Sequence, residues 1–202
     1  MLRIGLVMLQ GARHSHIAAL MRASNEAGIK VEVHELRKSS DLIDSGVHAI
    51  VMPGGESTTM RLTGNDPASS LLPALFEWMR ADLSRPVLGT CAGAILLAEP
   101  DDGGDPLVDA VIDRNAFGPQ SESFQATIQA TEMGGEFPGV FIRAPRFTGV
   151  GPAGRVVAKI GDEAVGVRTE NRIALTFHPE LSPDVSFHVW LLETAKSLGE
   201  GE

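Results

Sequence analysis

Two hundred and two residues, 43% of them hydrophobic, supply one sizeable core without requiring a second domain. Seventeen basic against twenty-six acidic side chains leave a formal charge of -9 spread along the chain, which argues against a general polyanion-binding surface and gives no basis for nucleic-acid binding. One cysteine excludes an internal disulfide, no secretory pattern opens the chain and no apolar run reaches membrane-spanning length, so the expected compartment is the cytoplasm.

Apolar and β-branched residues run together over 3–9, which predicts a strand buried on both faces. An amphipathic helix is predicted over 16–27, with Ile17, Leu20, Met21 and Ala27 near helical spacing and Gly28 ending it. Val31–Leu36 reads as a second strand, followed by a polar stretch with Ser39 or Ser40 available as caps. His48–Met52 is a third strand, stopped by Pro53-Gly54-Gly55. A short helix over 57–63 is expected to be interrupted by Gly64-Asn65-Asp66-Pro67, and a longer one over 69–81 carries Leu71, Leu72, Leu75, Phe76 and Met79 on one side. Pro86–Thr90 is a short strand, and Ala92–Ala98 a helix despite Gly93. Past an acidic turn at Gly103-Gly104, strand-like pieces lie near 107–112, 123–130, 139–143, 155–160, 164–168 and 172–177. A last helix is expected over Pro183–Leu198, with Val185, Val189, Leu192, Ala195 and Lys196 near helical spacing. Strands alternating with helices require crossover connections, so the expectation is an α/β fold. Its open, mostly parallel central sheet is flanked by helices, with additional strands in the second half, as one domain over 1–202.

Three segments carry chemistry. Gly89-Thr90-Cys91-Ala92-Gly93 sits between a strand and a helix, as a nucleophile elbow does, where glycines let the backbone fold tightly and helix N–H groups face a thiolate or an oxyanion. A buried, inert thiol is the competing reading. His178-Pro179-Glu180 follows a strand; in extended backbone His178 and Glu180 would share one face, where the ring takes the thiol proton and the carboxylate orients the ring. Simple surface placement competes there. Pro53-Gly54-Gly55-Glu56-Ser57-Thr58-Thr59 follows another buried strand and permits a turn whose N–H groups face a ligand; a plain capped turn explains the same letters. That segment is not a Walker loop, since no lysine precedes its Ser or Thr. His14 and His16 are not spaced as neighbouring ligands on one helix face, so no metal site is expected. Arg114, Arg143, Arg146, Arg168 and Arg172 are dispersed, one or two of them available to a substrate carboxylate, and Trp78 and Trp190 read as packing residues.

With these segments in view, the sequence resembles the glutaminase subunits of pyridoxal 5'-phosphate synthase, within the class I (triad) glutamine amidotransferases. The resemblance covers nearly the whole chain. It rests on Leu9-Gln10-Gly11, the Pro53–Thr58 and Gly89–Gly93 segments, Arg114-Asn115-Ala116-Phe117-Gly118, Ser123-Phe124, Phe141-Ile142-Arg143-Ala144-Pro145 and His178-Pro179-Glu180-Leu181. It implies a flavodoxin-like amidotransferase fold and a Cys91, His178 and Glu180 triad. It also implies L-glutamine contacts from Gly55, Glu56, Ser57, Arg114, Ile142 and Arg143, an oxyanion site at Gly55 and Ala92, and a part for Gln10 in partner-coupled activation. No cofactor or metal is implied for the glutaminase reaction. The implied partner is a (β/α)8-barrel synthase subunit, twelve of which form a core carrying up to twelve glutaminases; it combines ammonia with a pentose phosphate and glyceraldehyde 3-phosphate. Three residues depart from the family pattern: Ser15 stands where Glu is common, Pro119 where Arg is usual and Gln125 where Glu is usual. They bear on docking, activation or loop geometry. A related cysteine hydrolase or peptidase on the same fold and a catalytically silent regulatory subunit are the alternative readings.

Overall fold

Residues 1–114, 116 and 123–199 are described by a computed structural model, so Asn115, Phe117, Gly118 and Pro119 lie outside the described residues. In chain order the first half comprises β1 (Leu2–Val7), α1 (Arg13–Ala27), β2 (Val31–Leu36), α2 (Ser39–Ser45), β3 (Ala49–Met52), α3 (Ser57–Asn65), α4 (Leu71–Ala81), β4 (Val87–Thr90) and α5 (Ala92–Ala98). The second half adds β5 (Ala110–Asp113), β6 (Phe124–Ala130), β7 (Gly135–Phe141), β8 (Arg146–Val150), β9 (Arg155–Ile160), β10 (Glu163–Thr169), β11 (Arg172–Leu175) and α6 (Ser186–Gly199). Short 3-10 turns occupy Thr131–Met133 and Pro179–Leu181.

Among the described residues, nine strands form one sheet in the order β2-β1-β3-β4-β11-β10-β9-β6-β7. The first five are parallel neighbours and the rest are joined antiparallel. Successive residues of β3 show why the parallel strands read as unbroken apolar runs. Ile50 and Met52 pack with α2 to α5 on one face, whereas Ala49 and Val51 pack with α1 and α6 on the other. A strand covered on both faces cannot alternate apolar with polar residues. The order reverses at β1, with β2 on one side and β3 on the other, which opens a crevice at the carboxyl ends of the strands where open α/β sheets bind ligands. Among the described residues no helix is long and apolar enough to cross a membrane.

Several boundaries differ from expectation. Helix α1 begins at Arg13, and its buried stripe is His16, Ala19, Leu20, Ala23 and Ser24, while Met21 is 44% exposed. Helix α3 continues through Gly64 to Asn65. A Cβ on Gly64 would lie 2.4 Å from Leu72 Cγ, so the glycine is the close contact between α3 and α4 and not a break. Helix α2 forms in the polar stretch because the Asp41 carboxylate accepts the backbone N–H groups of Arg37 and Lys38. Strand β8 was not expected: only Phe147 along it is buried, and it pairs with β5 in a separate two-stranded sheet. Leu107 and Val108 are core residues but precede β5, and the strand expected near 139–143 ends at Phe141, two residues before Arg143 turns to φ +45°.

Candidate active site

Strand β4 delivers Cys91 to the mouth of the sheet. Its backbone N–H donates to Leu175 O at 2.8 Å, continuing the parallel pairing of β4 with β11, and the next residue starts α5. Turning from strand to helix in one step puts Cys91 at φ +50°, a left-handed conformation costly for a residue with a Cβ and held here by packing on both sides. Any Cβ on Gly93 would lie 2.1 Å from Met52 O, and one on Gly89 would lie 2.5 Å from Leu97 Cδ1; the elbow closes only with both side chains missing. The first bonds of α5 run from Ala94 N and Ile95 N to Cys91 O, leaving the Ala92 N–H ahead of them at the helix start.

His178 follows β11 and is fixed through its backbone N–H to Val140 O of β7 at 2.8 Å. The strand ends at Leu175, and Pro179–Leu181 forms a 3-10 turn. The extended i, i+2 geometry expected for His178 and Glu180 is therefore not what joins them; the turn folds Glu180 back so that Oε1 lies 2.7 Å from His178 Nδ1. Burial alone would lower the His178 pKa, but hydrogen bonds to Cys91 and Glu180, with their charges, outweigh it and push the ring up to about 10. Burial likewise opposes ionisation of Glu180, yet its contacts with His178 and His16 hold the carboxyl below its ordinary value. Together these keep an imidazolium between a carboxylate and the sulfur.

In front of the sulfur lies a cleft of about 520 Å³, lined by Cys91 and Ala92 with Gln10, Gly55, Glu56, Ser57, Arg114 and Arg143. Its size suits a small polar molecule. Gly54 faces both Cys91 and His178, since a Cβ there would lie 2.7 Å from His178 Cε1 and 3.2 Å from Cys91 Cβ. Gln10 reaches from the end of β1 and accepts the Glu56 N–H on Oε1 at 2.5 Å, pinning the turn after β3. The Glu56 carboxylate caps α3, accepting from Thr58 N and Thr59 N at 2.9 and 2.7 Å; these bonds depress its pKa to about 2. Ile142 is not on the lining, but its carbonyl oxygen faces Cys91 Sγ at 3.9 Å. The fold thus brings together every described residue singled out from the sequence as a triad, glutamine or oxyanion residue. Ser15 is half-buried on α1 and Gln125 is exposed on β6. Arg146 instead pairs with Glu163, and Arg172 is buried, donating to Leu107 O at 3.3 Å and Met79 O at 2.5 Å, so neither lines the cleft.

Two side chains near the site had no part in it on the sequence reading, which weighed His16 only as a metal ligand. His16 is fully buried with Nε2 3.4 Å from Glu180 Oε1, and His188 of α6 is fully buried beside it. The signal available was their position: each falls on the inward stripe of its helix, among mostly apolar residues.

The SNO glutamine amidotransferase family model matches residues 6–197 of this chain. The pyridoxal 5'-phosphate synthase subunit PdxT of Thermococcus onnurineus (strain NA1) is 39% identical over 205 residues, covering 96% of this chain and 100% of that protein. Its counterpart in Thermococcus gammatolerans (strain DSM 15229 / JCM 11827 / EJ3) is 38% identical over the same shares. A crystal structure described as a glutamine amidotransferase superposes with a TM-score of 0.80 at 37% identity, covering 96% of this chain and 98% of the other.

Proposed function

Because this chain belongs to the SNO glutamine amidotransferase family, we propose that it is the subunit of a pyridoxal 5'-phosphate synthase that hydrolyses L-glutamine and supplies ammonia to the synthase. The observation that carries the reading is Cys91 on its strained elbow, flanking Gly54 together with a ring that Glu180 holds at 2.7 Å, on the wall of a polar cleft. In this mechanism His178 holds the proton of the Cys91 thiol, and the sulfur attacks the side-chain carbonyl carbon of glutamine. The N–H groups of Gly55 and Ala92 receive the oxyanion of the tetrahedral intermediate. The ring then gives its proton to the departing amino group, ammonia leaves, and a γ-glutamyl thioester remains on Cys91.

Deacylation requires the opposite protonation state, and the site supplies the change. The ring is already neutral, having given its proton to ammonia, and acylation removes the Cys91 contribution that raises His178 while burial still opposes the contribution of Glu180. The neutral ring then takes a proton from water as that water attacks the thioester, releasing glutamate and restoring the thiol. Arg114 and Arg143 place guanidinium groups on the cleft wall for the glutamine carboxylate, and the ionised Glu56 faces its ammonium group. The partner is a (β/α)8-barrel synthase subunit, in an assembly of up to twelve of each, which takes the ammonia before bulk water disperses it.

The test is mass spectrometry of Cys91 after exposure to an electrophilic glutamine analogue, with and without the barrel subunit, alongside glutamate release. Covalent labelling of Cys91 in the complex is expected. Glutamate release that persists undiminished in Cys91→Ala would remove this sulfur as the nucleophile.

A further inference from the structure

Behind Glu180 the protein buries more titratable side chains than the reaction uses. The same Oε1 that faces His178 lies 3.4 Å from His16 Nε2, an electrostatic contact that falls short of hydrogen-bond geometry, so that both nitrogens of this buried ring lack a hydrogen-bond partner among the described residues. Glu180 is only 5% exposed, and its Oε2 has no hydrogen-bond partner among the described residues, so a second donor to this carboxylate matters. Six residues along α1 from His16, Arg22 donates to Ser182 O and Pro183 O at 2.9 Å each. Helix α1 therefore contacts the segment bearing Glu180 at two points.

Burial lowers the His16 pKa and drives that of His188 down to about 3, leaving both rings neutral at pH 7. A neutral imidazole offers one N–H and one lone pair; facing an ionised carboxylate, hydrogen on Nε2 attracts and a lone pair there repels. We propose that His16 is a positioning residue whose otherwise unpartnered Nε2–H attracts the Glu180 carboxylate across 3.4 Å and so favours the rotamer that aims Oε1 at His178. The inference rests on the glutaminase reading and adds a fourth member behind its triad. The groups facing this ring are Glu180 and His178 from the site and His188 from α6, with Arg22 of its own helix acting on His188. A proton on His178 opposes one on His16, so the cluster carries its positive charge where the reaction uses it.

The experiment combines nitrogen-15 NMR of the histidines in the isolated chain with glutamine kinetics in the complex with the barrel subunit, for wild type, His16→Leu and His16→Gln. Wild-type His16 is expected as the neutral Nε2–H tautomer; a neutral Nδ1–H tautomer or a charged ring at pH 7 overturns the proposal without any variant. Leucine removes the donor at similar size. With Glu180 free to turn, the His178 titration is expected to fall by about one unit or more. In the same variant kcat should fall about tenfold with KM little changed, as for a defect confined to the transition state. Glutamine, whose amide N–H reaches the same place, should restore both. Wild-type behaviour in His16→Leu, or equal losses in two equally stable variants, makes His16 a packing residue. Failure of the glutamine analogue to label wild-type Cys91 in the complex would defeat the glutaminase reading alone, because the tautomer and the His178 titration still decide what His16 does.

Discussion

Cys91 helps to stabilise the charged form of His178, so removing the sulfur is visible on the ring. In Cys91→Ala the ring loses the bond and charge that offset burial, and its titration is expected well below about 10, as read by NMR. Glutamate release should fall about a thousandfold or more in the same variant, since nucleophile and base act as a unit. The sign of the pH effect follows from the raised value. The ion pair's contribution to folding is fully present below the ordinary histidine value of 6.5 and is lost as pH rises through about 10. Denaturation midpoints measured from pH 6 to pH 10.5 should therefore decline at the alkaline end in wild type and decline less in Cys91→Ala. A decline of equal depth in both would show that the pair contributes nothing to stability.

Helices α3 and α5 shape the cleft, and each depends on a feature local to its first turn. Glu56 caps α3 with both carboxylate oxygens. Glu56→Ala is expected to cost about 0.5 to 1 kcal/mol in chemical denaturation, low in the range for caps because the carboxylate is exposed to screening. Its depressed pKa means that the capping contribution is present above 4.5 and is lost as pH falls through about 2; the gap between wild type and Glu56→Ala should close in that window. For α5 the constraint is steric. Gly93→Ala sets a methyl carbon against Met52 O, a backbone atom that cannot turn aside, and should destabilise the protein by about 1 to 3 kcal/mol. A variant as stable as wild type would mean that the elbow relaxes more freely than its packing indicates.

The continuous nine-stranded sheet ties the parallel half, with the elbow, to the antiparallel half, which supports His178. Phe137, Phe141, Phe177 and Phe187 pack ring to ring beneath that junction, with centroids 5.0 to 5.6 Å apart for the pairs Phe137–Phe177, Phe137–Phe187, Phe141–Phe177 and Phe177–Phe187. Phe177→Ala should cost about 3 to 5 kcal/mol and displace the adjoining His178, lowering turnover in the folded fraction as well. One cooperative thermal transition is expected for the whole chain, because neither half of the sheet has a core that closes without the other; two separated transitions would divide the chain into independent units.

Sequence by itself determined the parallel half and picked out the residues that the fold gathers around the cleft. Strands buried on both faces leave unbroken apolar runs such as Ala49–Met52, and a nucleophile flanked by small residues at a strand end has few structural alternatives. Local pattern was blind wherever a partner distant in the chain decided the outcome. Gly64 reads as a helix breaker until Leu72 is seen to need its missing side chain, and the sparsely buried β8 acquires its strand only by pairing with β5. His178 and Glu180 do meet, but a turn and not extended backbone joins them. His16 became part of the site only when α1 was laid against the turn carrying Glu180, because which residues meet across 164 positions of chain is settled by how helices pack on the sheet and by nothing in their own neighbourhood.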